Sequence, residues 1–153
     1  MLATIAAFYG CGLAIYKAGT QRWRKVWLIT AVVVGIGNLG QALMEYNGFA
    51  EFGMNILAGF DIQPVGKCSK TGKPIYAMNR LRSFCQSNEV GVGVITVPAE
   101  NAQDVCDRMV ECGIKAIWNF APTHLVVPDD VVVQNENLAV SLTALRLQFL
   151  KQQ

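Results

Sequence analysis

The stretch Ile29-Thr30-Ala31-Val32-Val33-Val34-Gly35-Ile36-Gly37-Asn38-Leu39-Gly40 decides the fold. Its first six residues are mostly β-branched, with no charge among them, as expected of a strand buried on both faces of a parallel sheet. The glycines that follow spell G-x-G-x-x-G directly ahead of a helical pattern. Gly35 permits the tight turn, Gly37 lets a diphosphate approach the backbone, and Gly40 lets the helix pack close to the strand. The unpaired N–H groups at the helix start would then hold phosphate oxygens, helped by the helix dipole. A glycine turn of purely structural use is the alternative. The flanking strand and helix raise the dinucleotide reading above it.

Reading outward, Leu39 to Phe52 is expected to be a helix and Asn55 to Phe60 a second strand. That strand runs into Asp61, which lies 21 residues after Gly40. An acid about 20 positions on accepts hydrogen bonds from an adenosine ribose and repels a 2′-phosphate, so NAD(H) is expected over NADP(H). The next residue, Ile62, is placed with it in the cofactor-binding set.

Further along, a short strand is expected near Pro74 to Met78 and a helix around Asn79 to Ser87. Val90 to Val97 is another apolar run, stopped by Pro98. Ala102, Val105, Cys106, Met109 and Val110 form one helical stripe, and Gly113 is the expected stop. Ile114 to Phe120 and Val131 to Gln134 add two strands. Alternation of this kind implies an α/β fold: a Rossmann-like, doubly wound, mostly parallel sheet with right-handed crossovers. The final helix, Leu138 to Lys151, is apolar on more than one face. It either packs across its own sheet or, the preferred reading, docks on a second subunit as a dimer element.

A chain of 153 residues has room for one domain with a sizeable core. Its 52% hydrophobic and 16% charged residues mark it as globular rather than disordered. A net charge of +2 argues for neither nucleic acid nor acidic lipid. The five cysteines are odd in number and show no C-x-x-C pair, which suits reduced thiols in a cytoplasmic protein and no metal site. Two uncharged runs invite a membrane reading. Met1 to Tyr16 is shorter than the roughly 20 residues a spanning helix needs. Val26 to Met44 contains the glycine turn. Neither is read as transmembrane. Residues 1–25 are taken as an apolar helical segment and linker, 26–136 as the Rossmann domain and 137–153 as the terminal helix. The basic cluster Arg22, Arg24 and Lys25, flanked by Trp23 and Trp27, is read as a solvated linker, since three charges neutralise few phosphates.

Gly35 to Leu43 (GIGNLGQAL), Tyr46 to Phe49 (YNGF), Phe60-Asp61, Thr96 to Ala99 (TVPA) and Asn119 to Pro122 (NFAP) together resemble the NAD(H)-sensing domain of Rex repressors. So does the closing stretch with Val127 to Asp130, Asn135 and Leu138 to Val140. The resemblance runs from about Ile29 to the C-terminus. It implies a dimeric sensor of the NADH/NAD+ ratio in which the last helix is exchanged between subunits and NADH releases DNA held by winged-helix domains. By position it implies that Gly35, Ile36, Gly37, Asn38, Leu39 and Gly40 hold the diphosphate and Asp61 the ribose. Thr96, Val97 and Pro98, with Asn119, Phe120, Ala121 and Pro122, would border the nicotinamide. Tyr46 and Asn137 would belong to an interdomain switch, Asn137 standing where the family usually has an aspartate. Only about 28 residues precede the matching region, fewer than half of what a winged helix needs. DNA, though expected for the family, is therefore doubtful as a direct partner of this chain. A natural truncation and a misplaced start are both open readings of that short lead.

No catalytic apparatus is expected. His124 has no nucleophile or acid beside it in sequence, and no tyrosine is followed four residues on by lysine. Cys106 and Cys112 are read as core and helix-end residues. Two alternatives stay open: a small NAD-dependent oxidoreductase subunit, and a CoA-binding module whose extra phosphate would meet Lys67, Lys70 and Lys73.

Overall fold

The computed structural model describes residues 28–64 and 68–152. The expectations for the leading segment, the Arg22–Lys25 cluster and Lys67 lie outside the described residues. Six strands form one sheet: β1 (Ile29–Val34), β2 (Met54–Asp61), β3 (Ile75–Ala77), β4 (Val92–Ile95), β5 (Ala116–Asn119) and β6 (Val132–Asn135). Every pairing is parallel and the order is β3-β2-β1-β4-β5-β6. Two three-stranded halves, each with a helix after its first strand and none described between its second and third, therefore diverge from β1 and β4, leaving a crevice at their C-terminal ends where the strand order reverses. The helices are α1 (Asn38–Glu45), α2 (Leu81–Ser87), α3 (Ala99–Glu111) and α4 (Leu138–Leu150).

The central position of β1 explains its composition. Ala31 to Val34 are at most 1% exposed, and the period of two sends alternate residues into two cores. Val32 and Val34 pack with Phe60, Ile95, Leu81 of α2 and Ala102, Val105, Cys106 and Met109 of α3. Ala31 and Val33 pack with Ile56, Ile75, Val94 and Met44 of α1. The stripe read from the sequence of α3 is the face that is buried. Its stop is a Schellman turn. Gly113 adopts φ +91°, its N–H meets the Val110 carbonyl at 2.9 Å, and the Ile114 N–H meets the Met109 carbonyl at 3.1 Å.

One element departs from expectation. The single helix foreseen from Leu39 to Phe52 is broken at Tyr46, whose backbone is extended (φ −72°, ψ 112°), and resumes as a 3-10 turn over Asn47–Phe52. The apolar spacing runs through the break because Met44 and Phe49 join the same core, so periodicity alone cannot register it. A Cβ on Gly48 would meet the tip of the exposed Tyr46 ring at 2.5 Å, so the ring lies over that glycine. Val26 to Met44 is not a membrane helix either: from Ile29 it is β1, the glycine turn and most of α1. Among the described residues no helix is long and apolar enough to cross a membrane.

Candidate functional site

Sheet register gathers the predicted residues. Val34 lies opposite both Phe60 and Ile95, and Ile95 lies opposite Asn119. The residues one step on, Gly35, Asp61, Thr96 and Phe120, therefore form a row along the C-terminal edge of the sheet. Four segments distant in sequence meet there.

Gly35 holds the turn at φ +96°, and a Cβ there would press on Val97 Cγ1 at 2.8 Å. A Cβ on Gly40 would collide with the Gly35 carbonyl oxygen, and also meet Thr96 Oγ1 at 3.0 Å. Gly37, by contrast, has nothing within 4 Å of where a Cβ would stand. The helix α1 starts there with no side-chain cap and no acid in its first turn. Gln41 is the first residue of the helix whose N–H reaches back to a carbonyl, that of Gly37 at 3.0 Å. The amides of Gly37, Asn38, Leu39 and Gly40 find no acceptor among the described residues. Gly37, Asn38 and Leu39 are exposed at the positive end of the helix dipole, which is an anion-binding arrangement, while Gly40 is buried behind them.

The Asp61 carboxylate flanks this turn. Its Oδ2 accepts the Ile36 N–H at 2.7 Å and its Oδ1 accepts the Gln63 N–H at 2.9 Å. Each carboxylate oxygen keeps a free lone pair, enough for two vicinal hydroxyls. Ile36 thus donates its amide to Asp61 instead of to a phosphate. Ile62 is exposed beside it.

On the other side of the crevice, Thr96 Oγ1 lies 2.6 Å from the Gly35 carbonyl oxygen and 3.1 Å from that of Val34, so its hydroxyl props the turn. Val97 is half-buried, and exposed Pro98 precedes α3. Asn119 is 0% exposed and its amide is fully used within the protein. It shapes the rim and has no amide hydrogen left to donate. Phe120 and Ala121 are held at the rim, where the Phe120 N–H reaches the Ile95 carbonyl at 2.9 Å, and Pro122 is exposed.

Tyr46 and Asn137 are not brought into a hydrogen bond with each other. Exposed Tyr46 ends α1 and stacks edge-on against Phe49 at 4.8 Å. The Asn137 side-chain oxygen accepts the Ala139 and Val140 N–H groups at 3.1 Å each, capping α4. Three further residues have roles that the sequence reading did not assign. Gly59 lies mid-strand, and a Cβ there would strike Met44 Sδ at 2.5 Å and Ile36 Cδ1 at 2.6 Å, so it lets α1 and its turn sit on β2; a glycine inside a buried strand was its only signal. Lys73 Nζ donates to the Met44 carbonyl at 2.9 Å at the end of α1, where burial lowers its pKa. Gln103 clamps the 120–131 loop through both bonds to the Val126 backbone, each 2.9 Å.

The reactive side chains are placed for structure. Burial pushes the Cys85 and Cys106 thiols up to about 11, so both are protonated at neutral pH. His124 is exposed in a loop. Among the described residues no cluster of metal-ligating side chains occurs.

A family described as CoA binding domain matches residues 28–123. The redox-sensing transcriptional repressor Rex of Porphyromonas gingivalis is 40% identical over 116 residues, covering 75% of this chain and 53% of that protein. RSP, a Rex-family repressor of known crystal structure, superposes with a TM-score of 0.78 at 33% identity over 91% of this chain and 67% of RSP. The chain belongs to the Rex family. It spans about half the length of the curated Rex relatives it matches. RSP has also been solved with β-NAD+ and operator DNA (TM-score 0.76, 33% identity, 86% of this chain and 63% of RSP) and with β-NADH (0.73, 34%, 86% and 66%).

Proposed function

We propose that this Rex-family chain is an NAD(H)-binding redox-sensing module that acts as a homodimer and responds to the NADH/NAD+ ratio in the cytoplasm. The observation that carries the reading is the pairing of open amides at the start of α1 with the Asp61 carboxylate bonded to the same turn. The amides suit the diphosphate, with Asp61 and Ile62 at the adenosine end. Thr96 to Pro98 and Asn119 to Pro122 wall the nicotinamide end. The solved complexes of RSP with β-NAD+ and β-NADH support the choice of ligand.

Response without catalysis fits the repressor names of the relatives and the protonated, buried thiols. The CoA reading is weakened by Lys73, whose ammonium is spent on the end of α1. Dimerisation is assigned to residues 137–153. Every residue of α4 is exposed, which favours a second protomer over packing across its own sheet, and the β5–β6 connection supplies no helix above Trp118 and Phe120. Residues 26–136 are assigned to the cofactor body, with Tyr46 and Asn137 assigned to the switch between subunits.

Calorimetric titration of the chain with NADH, NAD+ and NADPH tests the assignment. One NADH per protomer is expected, with NADPH at least about tenfold weaker, equivalent to 1.4 kcal/mol. No heat with NADH would overturn it. A gel shift on operator DNA with the same chain assigns the DNA contact: NADH binding without a shift makes it a sensor module alone.

A further inference from the structure

Two polar side chains are buried among the described residues, Ser69 and Asn119, and only Asn119 is at 0% exposure. Its Oδ1 accepts the Ala121 N–H at 3.0 Å, and its Nδ2 faces the carbonyls of Ala121 at 3.3 Å and Thr123 at 2.9 Å. Those bonds fold the crevice rim, with the Ala121 carbonyl the most distant of three acceptors that share two amide hydrogens. A further bond runs to Asn135 Oδ1 at 2.9 Å on the neighbouring strand. Asn135 is exposed, and water would serve its side chain equally well there. Without Asn135, the Ala121 carbonyl at 3.3 Å is left to accept the second amide hydrogen of Asn119.

The place of Asn135 gives the bond its meaning. The backbone next to it is tied to the same hub, with the Glu136 N–H on the Asn119 carbonyl at 2.8 Å and the Trp118 Nε1–H on Glu136 Oε1 at 3.2 Å. The residue after Glu136 is Asn137, the cap of α4. The Asn119 side chain thus links the 120–123 rim to the segment that launches the last helix.

We infer that Asn119 is a positioning residue that couples occupancy of the crevice to the setting of α4 through its bond to Asn135. The inference rests on the functional reading above, with NADH filling the crevice and α4 joining two protomers. Coupling of this kind is a linkage free energy, so NADH shifts the dimer dissociation constant by the same factor by which dimerisation shifts NADH affinity.

The test is sedimentation equilibrium of the full chain with and without saturating NADH, alongside calorimetry at protein concentrations where the monomer prevails. Wild type should show a coupling factor of about fivefold or more, the lower end for linked sites. Asn135→Ala, a surface change that leaves the rim bonds intact, should keep monomer NADH affinity and melting temperature. Its coupling should fall below about twofold, well under that lower limit. Asn135→Asp retains the acceptor oxygen and should restore it. A merely structural bond would move stability without touching the factor. Undiminished coupling in Asn135→Ala, or none in a wild type that binds NADH, would overturn the inference. Failure of wild type to bind NADH at all would instead sink the functional reading beneath it.

Discussion

The Ile36 N–H donates a 2.7 Å hydrogen bond to Asp61 Oδ2, so the acid that flanks the crevice also braces the glycine turn. One carboxylate thereby sets the position of the amides and presents its remaining lone pairs to a ligand. The two duties are separable by substitution.

Asp61→Ala removes both. Hydrogen bonds to a charged group are worth about 1.5–3 kcal/mol, so NADH affinity should fall roughly 10- to 150-fold by calorimetry. Asp61→Asn keeps an oxygen for the Ile36 amide but loses the charge that repels a 2′-phosphate. Its NH2 cannot accept the Gln63 N–H, so it should melt a few degrees below wild type, while its preference for NADH over NADPH drops about tenfold. An unchanged preference would remove Asp61 from the ribose site.

The glycines separate a folding role from a binding one. Gly40→Ala drives a methyl into the Gly35 carbonyl and against Thr96 Oγ1. Overpacking of this sort costs about 1–3 kcal/mol, a fall of roughly 3–10 °C in melting temperature for a chain of this size. Gly37 has φ −80° and open space around it, so Gly37→Ala should melt within about 1 °C of wild type. Its methyl would nonetheless stand where the diphosphate approaches the backbone, and NADH affinity should drop about tenfold or more. Silence of Gly37→Ala in both measurements would leave the turn a purely structural device.

Much of this site was legible because its signals are local. β1 shows as an unbroken β-branched run, the turn as three spaced glycines, and α3 as one apolar stripe ended by Gly113. What escaped depends on partners far away in sequence. Nothing near Asn119 marks it as buried, since its bond to Asn135 exists only once β5 and β6 pair in register. The occupation of the Ile36 amide by Asp61 likewise follows from β1 lying beside β2. The break at Tyr46 was hidden because a 3-10 turn continues the apolar spacing of α1.

Alkaline pH should destabilise the fold. The Cys85 and Cys106 thiols titrate at about 11 in the folded chain against a usual 9.0. Between those values the unfolded chain has released protons that the folded chain still holds, so stability falls as pH rises. Lys73 opposes this, because its lowered pKa makes the folded chain shed a proton first. Burial raises the Cys112 thiol as well, so three thiols against one lysine leave a net loss, read as a falling melting temperature from pH 8.5 to 10.5. Two net protons give a slope of at most about 2.7 kcal/mol for each pH step of one. Cys106→Ala should flatten the slope. A slope unchanged by that substitution would place the effect elsewhere.

The last helix carries the final prediction. No residue of α4 is buried, yet Leu138, Val140, Leu142, Leu145, Leu147 and Phe149 are all more than half exposed. A 13-residue helix with no tertiary support is marginal in water, and Asn137 stabilises only its first turn, by about 1 kcal/mol. A second protomer covering the apolar surface supplies what is lacking. The chain should therefore sediment as a dimer at micromolar concentration. Leu142→Glu combined with Leu145→Glu places two charges in that interface and should give a monomer whose sheet, and whose NADH site, remain formed. Asn137→Ala should weaken the dimer in the same direction but modestly, with lower helical ellipticity, while Asn137→Asp, an equally good cap, should not. A wild-type monomer, or a dimer that survives both glutamates, would move the interface away from α4.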